Sequence, residues 1–440
     1  MSAAGIPGAA VAVVHQGRVA VAGFGLADLA AGTAVTADSL FPLASVTKSF
    51  TATAVMQLAE EGRIALDQPV VDYLPWFRLA DTDACRRITV RMLLNHTSGL
   101  GRTRHLDPNA GASYASRRDL AEALASAQLQ TMPGEAWSYS NEAYSVAGHL
   151  VDALGSLTFE EHLRERIFAP LGMAATTPDI TEWLRSPHRA FGYAPGAHGV
   201  PEPVADLPIA PASLPAGRVC ATAPDLARYL MAMLDGPNPV LTSRSQRQMQ
   251  SPTTLWGDTA WGYGLGWFIQ HGPAGTVVRH GGNQRGVANH LFMVTGERLG
   301  VAVLTNLSGA PAGHIAEQLA NVTLGRPVLR GGVDEPLPVL SRYQADPGRV
   351  AAVGGTFASA LGEVAATTGD GRLTLMQRLG EANAPMHMET IPIGSDLFMI
   401  TRGGAEGQPV RVLRDAGGRA DRLLLAGTVY NRASHHGGSV

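Results

Sequence analysis

The order of apolar and polar positions predicts a mixed first part of the chain, with both strands and helices. Two apolar runs, GAAVAVVH and RVAVAGFG, flank the pair Gln16-Gly17 and are typical of two strands joined by a tight turn. After Ser45, apolar residues recur at helical spacing as far as Leu58, and Gly62 is a suitable residue to follow the end of that helix. The runs TVVRH, HLFMV and GVAVLTNL predict further strands, and the amphipathic segment GHIAEQLANVTLG predicts a helix after them.

The pattern changes after residue 325. The segment RPVLRGGVDEPLPVL is rich in proline and glycine and predicts a linker over 326–342. From Tyr343 onward, short apolar runs alternate with Gly/Asp turns, which is typical of a small antiparallel barrel or sandwich. We therefore predict a first domain over 1–325, a small all-β domain over 343–433, and a polar tail over 434–440.

Composition excludes several classes of protein. The 440 residues include 34 basic and 37 acidic side chains, and a net charge of −3 argues against binding to nucleic acid or to an anionic membrane. Apolar runs stay well below the ~18 residues that a transmembrane helix needs. The two cysteines, Cys85 and Cys220, lack the spacing of a zinc site, so we expect buried thiols. The first residues lack a basic signal-peptide segment, which favours a cytoplasmic location.

A single lysine, Lys48, stands among the 34 basic residues, so all the others are arginine. Lysine differs from arginine because burial can make it a neutral amine that accepts a proton. Ser45 lies three residues earlier, and on a helix this spacing places the hydroxyl and the amine on one face. A serine at a helix start is most often an N-cap, but next to the only lysine it is a candidate nucleophile with its base.

Two further segments carry candidate chemistry. Tyr139 and Asn141 lie in the turn-rich loop PGEAWSYSN, where the phenol can relay a proton and the amide can bind a substrate amide. Alternatively, Tyr139 packs in the core and Asn141 caps the next helix. In the third segment, Arg279-His280-Gly281-Gly282-Asn283, glycines beside a strand allow the close approach of another backbone, as an oxyanion hole requires; an ordinary surface hairpin is the competing interpretation.

In this order, the three motifs resemble the serine hydrolase family that contains class C β-lactamases, D-alanyl-D-alanine carboxypeptidases, D-aminopeptidases and related esterases. The segments LLNHTSGL, IFAPLGM and GYGLGW are also similar to that family. The resemblance implies an α+β fold of the β-lactamase and penicillin-binding-protein type. In this fold an antiparallel sheet, built from both ends of the domain and flanked by helices, carries an all-helical insertion, and the nucleophile lies at their junction. It also implies that the small all-β domain is a lipocalin-like barrel.

The same resemblance implies roles for individual residues. Ser45 would be acylated, while Lys48 and Tyr139 would exchange its proton and Asn141 would hold the substrate amide. The backbone N–H groups of Ser45 and Asn283 would form the oxyanion hole. The resemblance implies no metal and no organic cofactor. His280, Gly281, Gly282 and Arg285 would line the substrate site.

The third motif departs from the pattern of β-lactamases and carboxypeptidases, which commonly have Lys-Thr-Gly where this chain has His280-Gly281-Gly282. A cation and a hydroxyl that receive a substrate carboxylate are missing, although a protonated His280 or the nearby Arg285 could replace them in part. The His-Gly-Gly form is more similar to esterases, amidases and D-amino-acid peptidases. From the small all-β domain, Arg411 or Arg432 could contact a substrate carboxylate if that domain overhangs the cleft; a purely stabilising domain is the alternative.

We therefore expect a serine hydrolase or acyltransferase that acts on an amide or ester. Among such enzymes, a D-stereoselective peptidase, amidase or esterase ranks first. The alternatives are a peptide-cyclising thioesterase of the penicillin-binding-protein type, a weak β-lactamase, and a non-catalytic binder of peptidoglycan or peptides. The partner would be a small-molecule or peptide substrate, without nucleic acid or membrane insertion. The oligomeric state stays open.

Overall fold

The structure is a computed structural model. It describes residues 4–101, 114–196, 199–206, 208, 210–235, 238–255, 261–329, 345–359, 362–369, 372–378, 385–403, 409–425 and 428–433. The predicted tail over 434–440 and most of the predicted linker lie outside these residues. The domain boundaries therefore stay a prediction.

A nine-stranded antiparallel sheet forms the centre of the first part of the chain, in the order β3-β2-β1-β13-β12-β11-β10-β9-β8. Its strands are β1 Gly8–His15, β2 Arg18–Asp28, β3 Thr33–Ala34, β8 Thr254–Leu255, β9 Trp261–Tyr263, β10 Phe268–Gly272, β11 Gly275–Gln284, β12 Val287–Val294 and β13 Leu299–Thr305. The strand pair predicted around Gln16-Gly17 is present, with both turn residues at positive φ as a two-residue hairpin turn requires. Ala9 pairs with Thr305, so the two ends of this region meet in the sheet as expected.

Two-stranded pairs and helices complete this region. The short strands are β4 Phe41–Pro42 with β7 Cys220–Ala221, and β5 Tyr193–Pro195 with β6 Pro201–Pro203. The α-helices before the barrel are α1 Thr47–Glu60, α2 Val70–Tyr73, α3 Thr82–Cys85, α4 Val90–Leu94, α5 Arg117–Ala123, α6 Asn141–Leu154, α7 Phe159–His162, α8 Ile180–Arg185, α9 Leu214–Gly217, α10 Ala223–Leu234, α11 Ser243–Met249 and α12 Ala312–Leu324.

Helix α1 is buried over almost its whole length, from Thr47 to Leu58. It ends at Glu60, and Gly62 follows in the left-handed conformation that the sequence predicted for it. Apolar side chains of α1, α6 and α10 share one core with one face of the sheet. The other face of the sheet packs against α12 in a second core. The site helix α1 is therefore held rigidly at the junction of sheet and helices.

The last part of the chain is a closed eight-stranded antiparallel barrel, preceded by α13 Pro347–Ala351. Its strands are β14 Gly355–Ser359, β15 Gly362–Gly369, β16 Arg372–Arg378, β17 Met386–Gly394, β18 Leu397–Gly403, β19 Pro409–Arg414, β20 Ala420–Leu425 and β21 Thr428–Arg432. Closure leaves a barrel without a free sheet edge. This confirms the predicted small all-β domain.

The outer wall of the barrel packs against the first region. Ile393, Leu397 and Met399 of the barrel form one buried cluster with Trp137, Trp261 and Tyr263. In addition, the backbone N–H of Val429 donates to Oε1 of Gln130 at 3.0 Å. Because Trp137 precedes Tyr139 by two residues, the barrel supports the loop that carries one of the predicted catalytic groups.

Among the described residues, none of the helices has the length and apolar character that crossing a membrane requires.

Candidate active site

Ser45 lies in a short 3₁₀ turn, Ala44–Val46, that leads directly into α1. Ala44 has φ of +49°, a left-handed backbone conformation that is unfavourable for a residue with a Cβ atom. Such strain is retained where surrounding contacts enforce it and is common beside reactive groups. The Ser45 side chain is half-buried and lines a cleft, so a substrate can reach its hydroxyl.

Lys48 is fully buried one helical turn after Ser45. Its Nζ atom lies 3.1 Å from Ser45 Oγ, 2.8 Å from Asn141 Oδ1 and 2.7 Å from the carbonyl oxygen of Ala216. The last two oxygens can only accept, so they take two N–H groups of the amine. Of these three neighbours, only the Ser45 hydroxyl can also donate a proton.

The Ala216 carbonyl is fixed by contacts between α1 and α9. Thr51 Oγ1 donates to the neighbouring Pro215 carbonyl at 2.7 Å, and the Val219 N–H donates to Thr47 Oγ1 at 3.2 Å. Both threonines lie on α1 with Lys48. One helix thus holds the lysine and also the segment that supplies one of its acceptors.

Asn141 is the first residue of α6 and is nearly buried. The residue before it, Ser140, is the N-cap, because its Oγ accepts the Ala143 N–H at 3.0 Å. The interpretation of Asn141 as a helix cap is therefore wrong. Its amide oxygen instead binds Lys48 in the cleft.

Tyr139 is half-buried and lies with its ring centre 4.7 Å from Lys48 Nζ. His96 holds the loop around it: the Ser140 N–H donates to His96 Nδ1 at 3.0 Å, and the Ser138 N–H donates to the His96 carbonyl at 2.7 Å. The His96 ring also lies 4.2 Å from the Tyr139 ring. Tyr139 therefore packs in an aromatic cluster while it also contacts the lysine.

His280 lies behind the cleft, with 1% of its surface exposed. Its Nδ1 lies 2.7 Å from the Gly281 carbonyl oxygen, which only accepts, so Nδ1 carries the proton and Nε2 accepts from the Tyr263 hydroxyl at 3.0 Å. Burial lowers the pKa of His280 to about 3. Near neutral pH the side chain is uncharged, so the expectation that a protonated His280 replaces the missing cation does not agree with the structure.

Gly282 lies against the turn that carries Ser45. A Cβ atom at this position would be 2.1 Å from the Leu43 carbonyl oxygen and 3.3 Å from Ala44 Cβ. The absence of a side chain lets β11 approach this turn, and Asn283 is the next residue of that strand. The residue type at position 282 therefore determines how closely the strand approaches the nucleophile.

The cleft next to Ser45 has a volume of about 460 Å³. Four segments line it: the Ser45 turn, the start of α6, α9 with residues before and after it, and the end of β11 with Arg285. The lining residues are Ala44, Ser45, Asn141, Ala205, Asp206, Pro208, Ser213, Ala216, Gly217, Arg218, Asn283, Gln284 and Arg285. Among the predicted substrate-site residues, Asn141, Asn283 and Arg285 lie in this lining, whereas His280, Gly281 and Gly282 do not.

The two arginines suggested from the barrel lie elsewhere. Arg432 donates to the backbone carbonyls of Ala352, Gly354 and Ala420 and stacks on Phe357, so it stabilises the barrel, and it does not line the cleft at Ser45. Arg411 lines a separate cavity of about 170 Å³ between the barrel and the Tyr139 loop. Cys85 and Cys220 are buried free thiols, as expected.

A comparison with family models matches residues 1–324 to the family described as Beta-lactamase. The chain belongs to the beta-lactamase family. Penicillin-binding protein 4 of Amycolatopsis lactamdurans, a relative, is 32% identical over 363 residues, which cover 80% of this chain and 93% of that protein.

Solved structures of the beta-lactamase family also resemble this chain. A structure of SurE is 25% identical, with a TM-score of 0.71 and coverage of 98% of this chain and 96% of that one. A D-stereospecific amidohydrolase from Streptomyces sp. is 27% identical, with a TM-score of 0.60 and coverage of 70% and 92%. The beta-lactamase-like and penicillin-binding-protein-like serine hydrolases are thus the class to which this fold belongs.

Sequence reasoning did not identify three parts of this beta-lactamase-family site. These are the Ala216 carbonyl, the Tyr263 hydroxyl and Arg218. A backbone carbonyl has no signature in a sequence. Tyr263 lies in the segment GYGLGW, which resembles the family but gives no indication of a contact with His280.

Proposed function

We propose that this protein is a serine hydrolase that forms an acyl-enzyme on Ser45 with an amide or ester substrate, most suitably one with a D-configured acyl residue. The observation that carries the proposal is the hydrogen bonding of Lys48. Among its hydrogen-bonding neighbours, the oxygens of Asn141 and Ala216 can only accept, whereas the hydroxyl of the cleft-lining Ser45 can also donate. A neutral amine held in this way directs its lone pair at the Ser45 proton.

The proposed reaction begins when the proton of Ser45 moves to Lys48 Nζ as Oγ bonds to the substrate carbonyl carbon. The backbone N–H groups of Ser45 and Asn283 then stabilise the oxyanion, a contribution of ~3 kcal/mol per donor in acyl transfer. When the bond between carbon and leaving group breaks, the proton passes from Lys48, with Tyr139 as the relay, to the departing amine or alcohol. In the second half of the reaction, water gives a proton to Lys48 and attacks the acyl carbon. The bond from that carbon to Ser45 Oγ then breaks, Ser45 takes the proton back, and the acid is released.

The remaining predicted residues receive supporting roles. Asn141 keeps Lys48 in place and presents its amide to the substrate. Gly282 allows β11 to approach the nucleophile, and His280 holds the strand through the Gly281 carbonyl. Arg285 lies in the cleft lining, where it can contact the substrate.

Similarity to a D-stereospecific amidohydrolase and to penicillin-binding protein 4 supports an amide substrate with D-stereochemistry. The same chemistry would produce a transacylase if an amine, and not water, attacked the acyl-enzyme. The balance between hydrolysis and transfer to an amine depends on how well the closed site excludes water.

The experiment is intact-mass measurement after incubation with a fluorophosphonate and, separately, with a penicillin. We expect one adduct per chain on Ser45, its loss in Ser45→Ala, and its retention in Ser243→Ala on α11. Anilides of D- and L-alanine, a 4-nitrophenyl ester, nitrocefin and a peptidyl thioester then identify the substrate class. A protein that acquires no adduct and cleaves none of these compounds would overturn the proposal in favour of a non-catalytic binder.

A further inference from the structure

Helix α9 ends after a single turn, and its last carbonyl groups have no partner within the helix. In a longer helix the carbonyls of Pro215 and Ala216 would accept the N–H groups four residues later. The chain turns away instead: the Val219 N–H donates to Thr47 Oγ1 at 3.2 Å, and the Cys220 N–H donates to a carbonyl of a distant segment. Both carbonyls of α9 therefore need donors from outside the helix.

Side chains of α1 supply these donors. Thr51 Oγ1 donates to the Pro215 carbonyl at 2.7 Å, while the Thr47 carbonyl is farther from it, at 3.4 Å. Lys48 Nζ donates to the Ala216 carbonyl at 2.7 Å. Thr51 is fully buried, so water cannot replace its hydroxyl. One face of α1 thus closes the end of α9.

The bond from Thr51 fixes the position of the next carbonyl along the chain. The Pro215 carbonyl and the Ala216 nitrogen belong to one planar peptide group, so holding this group also holds the residue that binds Lys48. Pro215 is also packed tightly against α6, since a Cβ atom at Gly148 would lie 2.1 Å from Pro215 Cγ. Helix α9 is therefore held between α1 and α6.

The Ala216 carbonyl gains importance during the reaction. When Lys48 takes the proton of Ser45, it becomes an ammonium group, and a hydrogen bond from a charged donor is about twice as strong as one between neutral groups. A carbonyl in the correct position at that moment stabilises the transition state more than the ground state. A displacement of α9 would therefore slow acylation and leave the binding of substrate almost unchanged.

We propose that Thr51 is a positioning residue for the proton transfer from Ser45 to Lys48. Its hydroxyl holds α9 so that the Ala216 carbonyl binds the amine as the amine becomes charged. The inference rests on the proposed function, because it assigns Thr51 to the acylation of Ser45. Thr51 does not line the cleft and acts through Pro215 and Ala216.

Thr53 provides a matched control on the same helix. It is also fully buried, and its Oγ1 donates to the Ser49 carbonyl at 2.9 Å and lies 3.4 Å from the Tyr229 hydroxyl. Both of these partners lie outside α9. Thr51→Val and Thr53→Val each remove a buried hydroxyl from α1 and keep a side chain of nearly the same shape. Thr51→Ser keeps the hydroxyl and tests for rescue.

The first measurement is kinetic. It consists of the rate of Ser45 adduct formation with a fluorophosphonate, and of kcat and KM for a 4-nitrophenyl ester. We expect Thr51→Val to lower the adduct rate and kcat roughly 10- to 100-fold with little change in KM, the range for a hydrogen bond to a charged group. Thr51→Ser should recover most of this loss, and Thr53→Val should keep the wild-type rates. Both valine variants should lower the free energy of unfolding, since each removes a donor from a buried carbonyl.

The second measurement observes the amine directly. Lys48 is the only lysine of the chain, so lysine labelled with ¹³C at Cε gives a single NMR signal that follows the charge of the amine during a pH titration. Loss of an acceptor disfavours the charged form, so the midpoint should lie at lower pH in Thr51→Val than in the wild-type protein and the control variant. The titratable groups near Nζ, the phenols of Tyr139 and Tyr144 and the imidazole of His280, are the same in all of these proteins.

A folded Thr51→Val protein with the wild-type adduct rate and an unshifted midpoint would overturn the inference. Equal kinetic losses in Thr51→Val and Thr53→Val would also overturn it, because they would show a general effect of a destabilised core. If Thr51→Val does not fold, Thr51→Ser and Thr51→Ala, which differ only in the hydroxyl, give the same comparison.

Failure of the proposed function would be recognised separately, in the wild-type protein. If that protein forms no adduct on Ser45 and hydrolyses no ester, the proposed function fails, and the NMR titration then decides whether Thr51 positions Lys48. A lower midpoint in Thr51→Val than in Thr53→Val supports the positioning role, and equal midpoints overturn it. If the wild-type protein is active and its kinetics do not depend on the Thr51 hydroxyl, the proposed function stands and only the inference fails.

Discussion

Gly282→Ala is expected to reduce activity more than its small change in volume suggests. The added Cβ would lie 2.1 Å from the Leu43 carbonyl oxygen, whereas Cβ contacts below 3.0 Å are essentially never observed. Neither neighbour is a flexible side-chain end, because one is backbone and the other is Ala44 Cβ at 3.3 Å. The end of β11 and the Ser45 turn must therefore separate by about 1 Å.

This separation determines the size of the effect. It displaces the Asn283 N–H from the Ser45 turn, and an error of about 1 Å in a catalytic geometry costs on the order of 100-fold in rate. A 100-fold loss corresponds to about 2.7 kcal/mol of transition-state stabilisation. The forced contact should also lower the free energy of unfolding by about 1–3 kcal/mol.

The assay is kcat/KM for a 4-nitrophenyl ester, with the rate of Ser45 adduct formation measured by intact mass and folding checked by circular dichroism. Gly281→Ala is the matched control, because its added Cβ would lie 3.3 Å from His290 Nδ1, a side-chain atom. We expect that control to lose less than about fivefold, since the neighbouring ring can shift. If folded Gly282→Ala kept the wild-type kcat/KM, the assignment of the strand end to the oxyanion hole would be refuted.

Three further outcomes are expected. Lys48→Met should lower kcat for an ester by at least about 10³-fold, because it removes the proton acceptor, and turnover at the wild-type rate would contradict the mechanism. His96→Gly, which tolerates the left-handed backbone, should lower kcat by about tenfold with little change in KM, since the Ser140 N–H loses its acceptor; an effect on KM alone would argue against a positioning role. Burial lowers the pKa of His162 to about 4 and that of His280 to about 3, below the value near 6.5 in an unfolded chain. Below pH 6.5 the unfolded chain binds two protons at these histidines that the folded chain does not bind, so the free energy of unfolding decreases as the pH falls from 6.5 towards 4. The decrease is up to about 2.7 kcal/mol per pH unit for the two protons, and above pH 6.5 the stabilising contribution is complete. Equal unfolding free energies at pH 7.5 and 5 in guanidinium titrations would refute this prediction.

Local sequence patterns predicted those features of the structure that depend only on residues close together in the chain. The unique lysine three residues after a serine predicted the pair that lies 3.1 Å apart, and the glycine after α1 predicted where that helix ends. The hairpin at Gln16-Gly17 also follows from local alternation and turn residues. The same signals predicted the small all-β domain as a barrel or a sandwich, and they did not decide which of the two it is.

Such local patterns do not predict contacts between segments that are distant in the sequence. The Ala216 carbonyl is 168 residues away from Lys48, and any residue type at position 216 would carry the same carbonyl. His280 was considered as a cation because the sequence shows its chemistry but not its burial. Arg218 went unnoticed because arginine is common in this chain, and only the folded structure places it beside the nucleophile.

The interior of the barrel has a consequence for how that domain can act. Buried side chains such as Phe357, Leu375, Phe398 and Tyr430 occupy its centre, and the hydroxyl of Tyr430 accepts a hydrogen bond from Gln377. Because side chains fill the interior, we expect the barrel to support the segments that pack against its outer wall and not to hold a ligand inside. Engineering of this protein for new substrates should therefore vary the outward-facing residues at the seam with Trp137 and leave the inward-facing ones unchanged.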